Sequence, residues 1–283
     1  MKLFSHRSGL KKMRTEMQLD SMDLSLRNRL WNTLDCFYWH HRIRSGSEIK
    51  EYSKVLFTRM WHSYFKKPVD ELRFYWANDL SKVKGYFFDC DWCEVYDFIE
   101  FVAKKFPLEE TNDSFKIATN DVLKEELSAY RFIGNQITQI TSEEEIGEIE
   151  EALATSITPV RTHIENSLKL LSDKQTPDYR NSIKESISAV ESICRLITKK
   201  ENATLGQALK EVEVKIGLHG ALKKGFSNLY GYTSSAEGIR HALLDESELS
   251  FEDAKFMLVS CSAFINYLIV KAEKAKIIIK AIG

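Results

Sequence analysis

Glycine and proline are scarce, 12 and 4 in 283 residues, which excludes a turn-dense all-β chain and points toward helices. Cysteine is scarce as well. Five thiols, an odd number spread over a long chain, exclude a disulfide framework and imply free thiols in a reducing compartment. Neither charge sign dominates. With 40 Lys plus Arg against 41 Asp plus Glu, no global field draws in nucleic acid or acidic lipid, so such a partner must be held by a local patch. The longest apolar run, residues 256–270, is broken by Ser260, Ser262 and Asn266 and falls short of the ~20 residues needed to cross a bilayer. It reads as a buried helix, and no membrane partner is expected. The first residues lack the apolar stretch and small-residue cleavage site of a secretory leader, so the expected location is the cytoplasm.

Several motifs of common chemistry are missing too. There is no Gly-rich phosphate loop, no Ser nucleophile motif and no paired set of metal ligands, which removes nucleotide hydrolases and zinc peptidases. No metal or cofactor is expected. Cys90-Asp91-Trp92-Cys93 has the spacing of a redox or zinc half-site, but no second Cys pair completes it. Its flanks, Phe87-Phe88 and Val95-Tyr96, read as the entrance of a buried helix.

What is present is a composition for packing: 43% hydrophobic, 29% charged and 11% aromatic, in a length that suits two ordinary domains. The fold class expected is mainly α. Residues 20–38 carry two adjacent apolar helical rows, Leu24, Trp31, Leu34, Tyr38 and Leu26, Leu30, Phe37, which predict a helix at a domain centre. Further helices are predicted along Ile49, Tyr52, Leu56, Met60 and Tyr64, and from Trp92 to Phe106, where Pro107 stops the second. The aromatic-rich residues 73–88 could hold short strands. Residues 109–119 turn polar and read as the exit of the first domain.

The expected division is 1–110 as an N-terminal helix-rich domain, 111–154 as a linking module and 155–283 as an antiparallel helical bundle. The linking module comprises a short helix over 121–129, a hairpin around Gly134-Asn135, and a helix opened by a Ser142 and Glu145 capping box. The bundle's stripes are Val160, Ile164, Leu168, Leu171, then Ile183, Ile187, Val190, Cys194, Ile197, then Leu205, Ala208, Leu209, Val212, Ile216. A shorter helix carries Leu222, Phe226 and Leu229 and is expected to end at Gly231. The last helix, capped by Ser250 and Asp253, carries Ala254, Met257, Leu258, Cys261, Ile265, Leu268 and Ala272.

Arg240 and His241 are the foremost candidates for chemistry. A fixed cation beside a proton-transfer group suits phosphodiester cleavage: His241 takes or delivers a proton, Arg240 holds the phosphate, and Glu191 orients one of them. The plainer alternative has Arg240 and His241 capping helix ends and bridging to Glu191. His40, His41, Arg42 and Arg44, after Trp39, form the best local patch for RNA in the first domain, or else a solvated helix end whose cations suit the negative helix dipole. Arg27, Asn28, Arg29 and Asn32 share a helix with Trp31 and read either as a buried hydrogen-bond network or as a recognition surface.

Two groups of motifs resemble known domains. Phe4-Ser5-His6-Arg7, Ser21-Met22-Asp23, Leu26-Arg27-Asn28-Arg29-Leu30-Trp31-Asn32 and Trp92-Cys93-Glu94-Val95-Tyr96-Asp97-Phe98-Ile99-Glu100 resemble the AbiJ-type N-terminal domain of bacterial abortive-infection proteins, over residues 3–105. Pro177-Asp178-Tyr179-Arg180-Asn181-Ser182-Ile183, Ala189-Val190-Glu191-Ser192, Gly238-Ile239-Arg240-His241-Ala242 and Asp253-Ala254-Lys255-Phe256-Met257-Leu258 resemble helical HEPN-type domains, over residues 155–272. The resemblance implies phage defence, a phage or host trigger protein and, for the HEPN-like part, a homodimer through the bundle that cleaves RNA without metal. Active HEPN ribonucleases place Arg and then, after four to six residues, His on one helix. No Arg here is followed by His at that spacing, and adjacent residues on a helix point about 100° apart. The departure leaves a second reading open, a non-catalytic sensor or dimerisation scaffold of a defence system.

Overall fold

The computed structural model describes residues 16–39, 47–72, 76–173, 176–234 and 249–279, with Phe4 and Ser8. Among these are eleven α-helices and one two-stranded hairpin, a mainly α fold. The chain divides into two compact units, 1–140 and 141–283.

In the first unit, α1 (Leu24–Leu34) begins where the Asp23 carboxylate accepts the Leu26 N–H at 2.8 Å. It widens into a π-helical turn, Asp35–Trp39. Of the two predicted rows, Leu26, Leu30, Trp31, Leu34 and Tyr38 are buried, as a central helix requires, whereas Phe37 is half-buried and Leu24, in the first turn, is 65% exposed. Helix α2 (Ser47–Arg59) likewise runs into a π-helical turn, Met60–Tyr64. From residue 76 onward, helix α3 (Trp76–Asp89) stands where short strands were expected over 73–88. Val83 and Phe87 are fully buried one turn apart, with Leu80 packed beside them, so the helical period outweighs the β preference of the aromatic run. Helix α4 (Trp92–Lys105) opens on an Asp91 and Glu94 capping box and stops at Phe106, before Pro107.

The polar exit expected over 109–119 is instead the first part of α5 (Glu109–Glu125). Its buried face includes Thr111, Asn112 and Thr119 beside Phe115, Val122 and Leu123. Asn112 earns its burial by accepting the Tyr38 hydroxyl at 3.1 Å and donating to the Phe106 carbonyl at 3.0 Å. The hairpin forms around Gly134-Asn135 as expected, β1 (Arg131–Ile133) against β2 (Gln136–Thr138), with Gly134 at positive φ in its turn. The core that joins these elements is aromatic. Trp31 lies 5.3 Å from Phe87 and 6.3 Å from Trp39, and Tyr38 lies 4.8 Å from Phe115 between ring centroids. Each such pair adds roughly 0.5–1.5 kcal/mol beyond its area burial.

The second unit contains α6 (Glu143–Ala154), α7 (Thr158–Ser172), α8 (Tyr179–Thr198), α9 (Leu205–Ile216), α10 (Gly220–Ser234) and α11 (Phe251–Lys274). The predicted stripes of α7, α8, α9 and α11 are buried, except that Ile187 is half-covered. Ser167 of α7 meets Ser182 and Ser186 of α8 while His163 meets Glu185, so α7 and α8 run antiparallel with small hydroxyls at their closest approach. Helix α9 starts with a Thr204 and Gln207 capping box and ends at Gly217 with φ +65°. Two local expectations need correction. Helix α10 continues through Gly231 to Ser234. The Ser142 hydroxyl accepts the Glu145 N–H, but the Glu145 carboxylate pairs with Lys255 of α11 at 3.2 Å instead of closing a capping box.

Candidate functional site

Arg240 and His241 lie outside the described residues, as do His40, His41, Arg42 and Arg44. Glu191 lies within them, on the half-covered side of α8. Its Oε1 accepts from Nη2 of Arg195 at 2.9 Å, one turn along the same helix, while Nε of Arg195 donates to the Ala203 carbonyl at 3.0 Å. The carboxylate assigned to orient Arg240 or His241 is therefore engaged by a cation of its own helix. The Glu191 charge, second to burial, also helps push the Cys194 thiol up to about 12.

The described residues do contain a histidine–carboxylate couple. His163 of α7 places Nδ1 2.7 Å from Oε2 of Glu185 on α8, and Asn166, one turn from His163, reaches the same oxygen at 3.5 Å. A carboxylate on Nδ1 fixes the tautomer and leaves Nε2 to accept a proton, the arrangement of a general base. Both side chains are about one-third exposed, at 33% and 28%. Sequence reasoning did not find this pair because the two residues are 22 positions apart and meet only through the α7–α8 register.

In the second unit an open groove of about 680 Å³ is lined by Glu151, Ile157, Asn266, Ile269, Glu273 and Lys276, among others. The buried Asn266 donates to the Glu148 carbonyl and carboxylate, while its own Oδ1 is without a partner. Two carboxylates against one ammonium make this groove a poor cradle for phosphate.

In the first unit the polar residues of α1 divide. Arg27 Nη1 donates to the carbonyls of Phe87, Phe88 and Cys90 at 3.1, 2.8 and 2.8 Å, closing the C-terminus of α3. Arg29 pairs with Glu125 and Glu126 at the end of α5. Asn28 and Asn32 are exposed and one turn apart, so the contacts on this helix are made by the half-buried Arg27 and the more exposed Arg29 and not by the asparagines. Cys90 is half-buried, donates to the Phe87 carbonyl at 3.6 Å, and has its thiol pushed up to about 11 by burial. Cys93 is exposed. Among the described residues no three His, Cys, Asp or Glu side chains group as metal ligands.

A family model described as AbiJ N-terminal domain 4 matches residues 2–155. No curated protein and no solved structure matches significantly. The match takes in all of the first compact unit from residue 2 onward and continues through α6, ending in the turn before α7. It spans more than half of the sequence and agrees with the motifs of α1 and α4, so the chain belongs to the AbiJ N-terminal domain 4 family, a domain type of abortive-infection proteins.

Proposed function

We propose that this chain is an anti-phage, abortive-infection effector acting in the cytoplasm, in which the AbiJ-type part responds to a phage or host trigger and a HEPN-like second unit engages RNA. The observation that supports this most is that the AbiJ N-terminal domain match ends at residue 155 and is followed in the same chain by five further helices, α7 to α11. In this reading His241 carries the proton and Arg240 holds the phosphate, without metal, and His40, His41, Arg42 and Arg44 offer a further RNA contact. The test is cleavage of RNA by the purified chain in chelator, beside a His241→Ala variant with an unchanged urea midpoint. Loss of cleavage in the variant supports the reading, and equal cleavage removes the base.

A second reading is favoured by the Glu191–Arg195 pair, which takes one member from the proposed constellation. Here the second unit is a non-catalytic scaffold and the first a sensor. Expression that lowers phage plating equally with wild type and His241→Ala supports this reading over the first.

A further inference from the structure

Helix α11 ends in a turn that builds one wall of the groove in the second unit. Lys276 takes a φ of 56°, its N–H donates to the Glu273 carbonyl and that of Ile277 to the Ala272 carbonyl, both at 2.9 Å, so the chain caps the helix and leaves its axis. Ile277, Ile278 and Ile279 then line the groove together with Ile269 of α11 and Ile157, the residue before α7. The opposite wall is the end of α6, with Glu151 in its last turn and Thr155 and Ser156 just beyond it. At about 680 Å³ the space suits a small organic molecule with an apolar body.

The polar groups say what that molecule carries. Asn266 is 7% exposed and donates its amide nitrogen to the Glu148 carbonyl at 3.0 Å and carboxylate at 2.9 Å, two acceptors that fix which end of the amide is which. Glu148 does not line the groove, whereas Asn266 does. Its Oδ1, buried and without a partner among the described residues, is therefore the atom this side chain has left to offer there, and a buried acceptor calls for a donor. The charges ask for the same thing. Glu151 and Glu273 bring one carboxylate each, with no ion pair on either among the described residues. The C-terminus of α6, the negative end of its dipole, lies at the same place, and its last turn holds no basic residue. Against these stands the ammonium of Lys276. Two carboxylates and one ammonium leave a single negative charge to be met.

We propose that this groove binds a small primary amine in its ammonium form. One N–H is donated to Asn266 Oδ1, the charge lies between Glu151 and Glu273, and the apolar body rests on the isoleucines. An alcohol of the same length lacks the charge, a quaternary ammonium lacks the N–H, and ethylamine lacks the body. The site does not depend on RNA engagement by the second unit.

The probe is n-hexylammonium chloride, titrated into the full chain at pH 7 and constant ionic strength and followed by isothermal titration calorimetry. Wild type is expected to bind it at one site, roughly tenfold or more tightly than n-hexanol, hexyltrimethylammonium or ethylammonium. Glu151→Gln and Glu273→Gln should each weaken binding about threefold, and Lys276→Gln should strengthen it by a similar factor. Asn266→Leu, with unchanged far-UV circular dichroism, should bring hexylammonium down to the level of hexyltrimethylammonium. The other three positions are exposed, so they carry the test if Asn266→Leu does not fold. No binding by wild type, equal binding of hexanol, or an affinity indifferent to the three exposed substitutions overturns the proposal. A lysine-containing peptide that binds roughly tenfold more tightly than hexylammonium overturns the assignment to a small molecule.

Discussion

Glu100 of α4 accepts the backbone N–H of Ile137, tying the hairpin to the helix through a part-buried carboxylate. Burial outweighs that hydrogen bond, Asp97 one turn back adds like charge, Lys104 opposes it, and the carboxyl is pushed up to about 7 from 4.5. A carboxyl raised on folding contributes stability that is complete below about 4.5 and is lost as the pH rises through about 7, at up to about 1.4 kcal/mol per pH unit. Glu100→Gln keeps an acceptor for Ile137 and removes the titration. Urea midpoints from pH 4.5 to 8 are expected to show the variant level with wild type at the acid end and more stable by roughly 1–3 kcal/mol at pH 8. Parallel profiles refute this account.

Arg27 is expected to be the most costly charge to remove from α1. One of its nitrogens serves three carbonyls at the end of α3, and charged hydrogen bonds contribute about 1.5–3 kcal/mol where a donor is lost from part-buried acceptors. Arg27→Ala should lower stability by roughly 2–3 kcal/mol, with Arg27→Lys recovering part. A second readout separates the charge from the packing. The Arg27 cation holds the Cys90 thiol down against burial, so at a fixed alkaline pH Cys90 in either folded variant should report its order: slower alkylation in Arg27→Ala than in Arg27→Lys.

The second unit was legible wherever apolar residues kept helical period. The stripes of α7, α8, α9 and α11 and the Ser250 cap could be read without coordinates, because burial in a bundle demands that period. Helix α5 was not legible over its first turns, since its buried face uses Thr111, Asn112 and Thr119, polar groups that look solvated until a partner such as Tyr38 is known. Helix α3 was obscured by adjacent aromatics at 86–88, which serve one face of a helix as well as two faces of a strand. For the site, Glu191 was read as a partner of Arg240 or His241. Its observed partner was not foreseen, because the competing cation is Arg195, one turn along, and local pairs form before distant ones.

The antiparallel contact of α7 and α8 depends on three hydroxyls with no exposure. Ser167 Oγ lies 2.7 Å from Ser186 Oγ and 2.9 Å from the Ser182 carbonyl, and Ser182 Oγ returns a bond to the Ser167 carbonyl at 2.9 Å. Ser167→Ala removes two of these bonds without filling the space, for a loss of roughly 1–2 kcal/mol. Ser167→Leu forces the helices apart and leaves Ser186 and Ser182 poorly paired, for a loss of at least about 3 kcal/mol. Thermal and urea denaturation of the two variants check the order; a Leu variant as stable as the Ala variant would show that the helices are not in close contact there.

Glu191→Gln separates structure from function at the member of the proposed constellation that lies within the described residues. Its bond to Arg195 is an i, i+4 pair with side chains 25% and 39% exposed, worth about 0.5 kcal/mol or less after solvent screening. The variant should therefore fold with an almost unchanged urea midpoint. Because Arg195, itself anchored on the Ala203 carbonyl, holds this carboxylate, RNA binding and cleavage are expected to be unchanged as well. A drop of tenfold or more in cleavage at constant stability, about 1.4 kcal/mol in the transition state, would instead mean that Glu191 leaves Arg195 to act on the reacting groups, and would return it to the catalytic set.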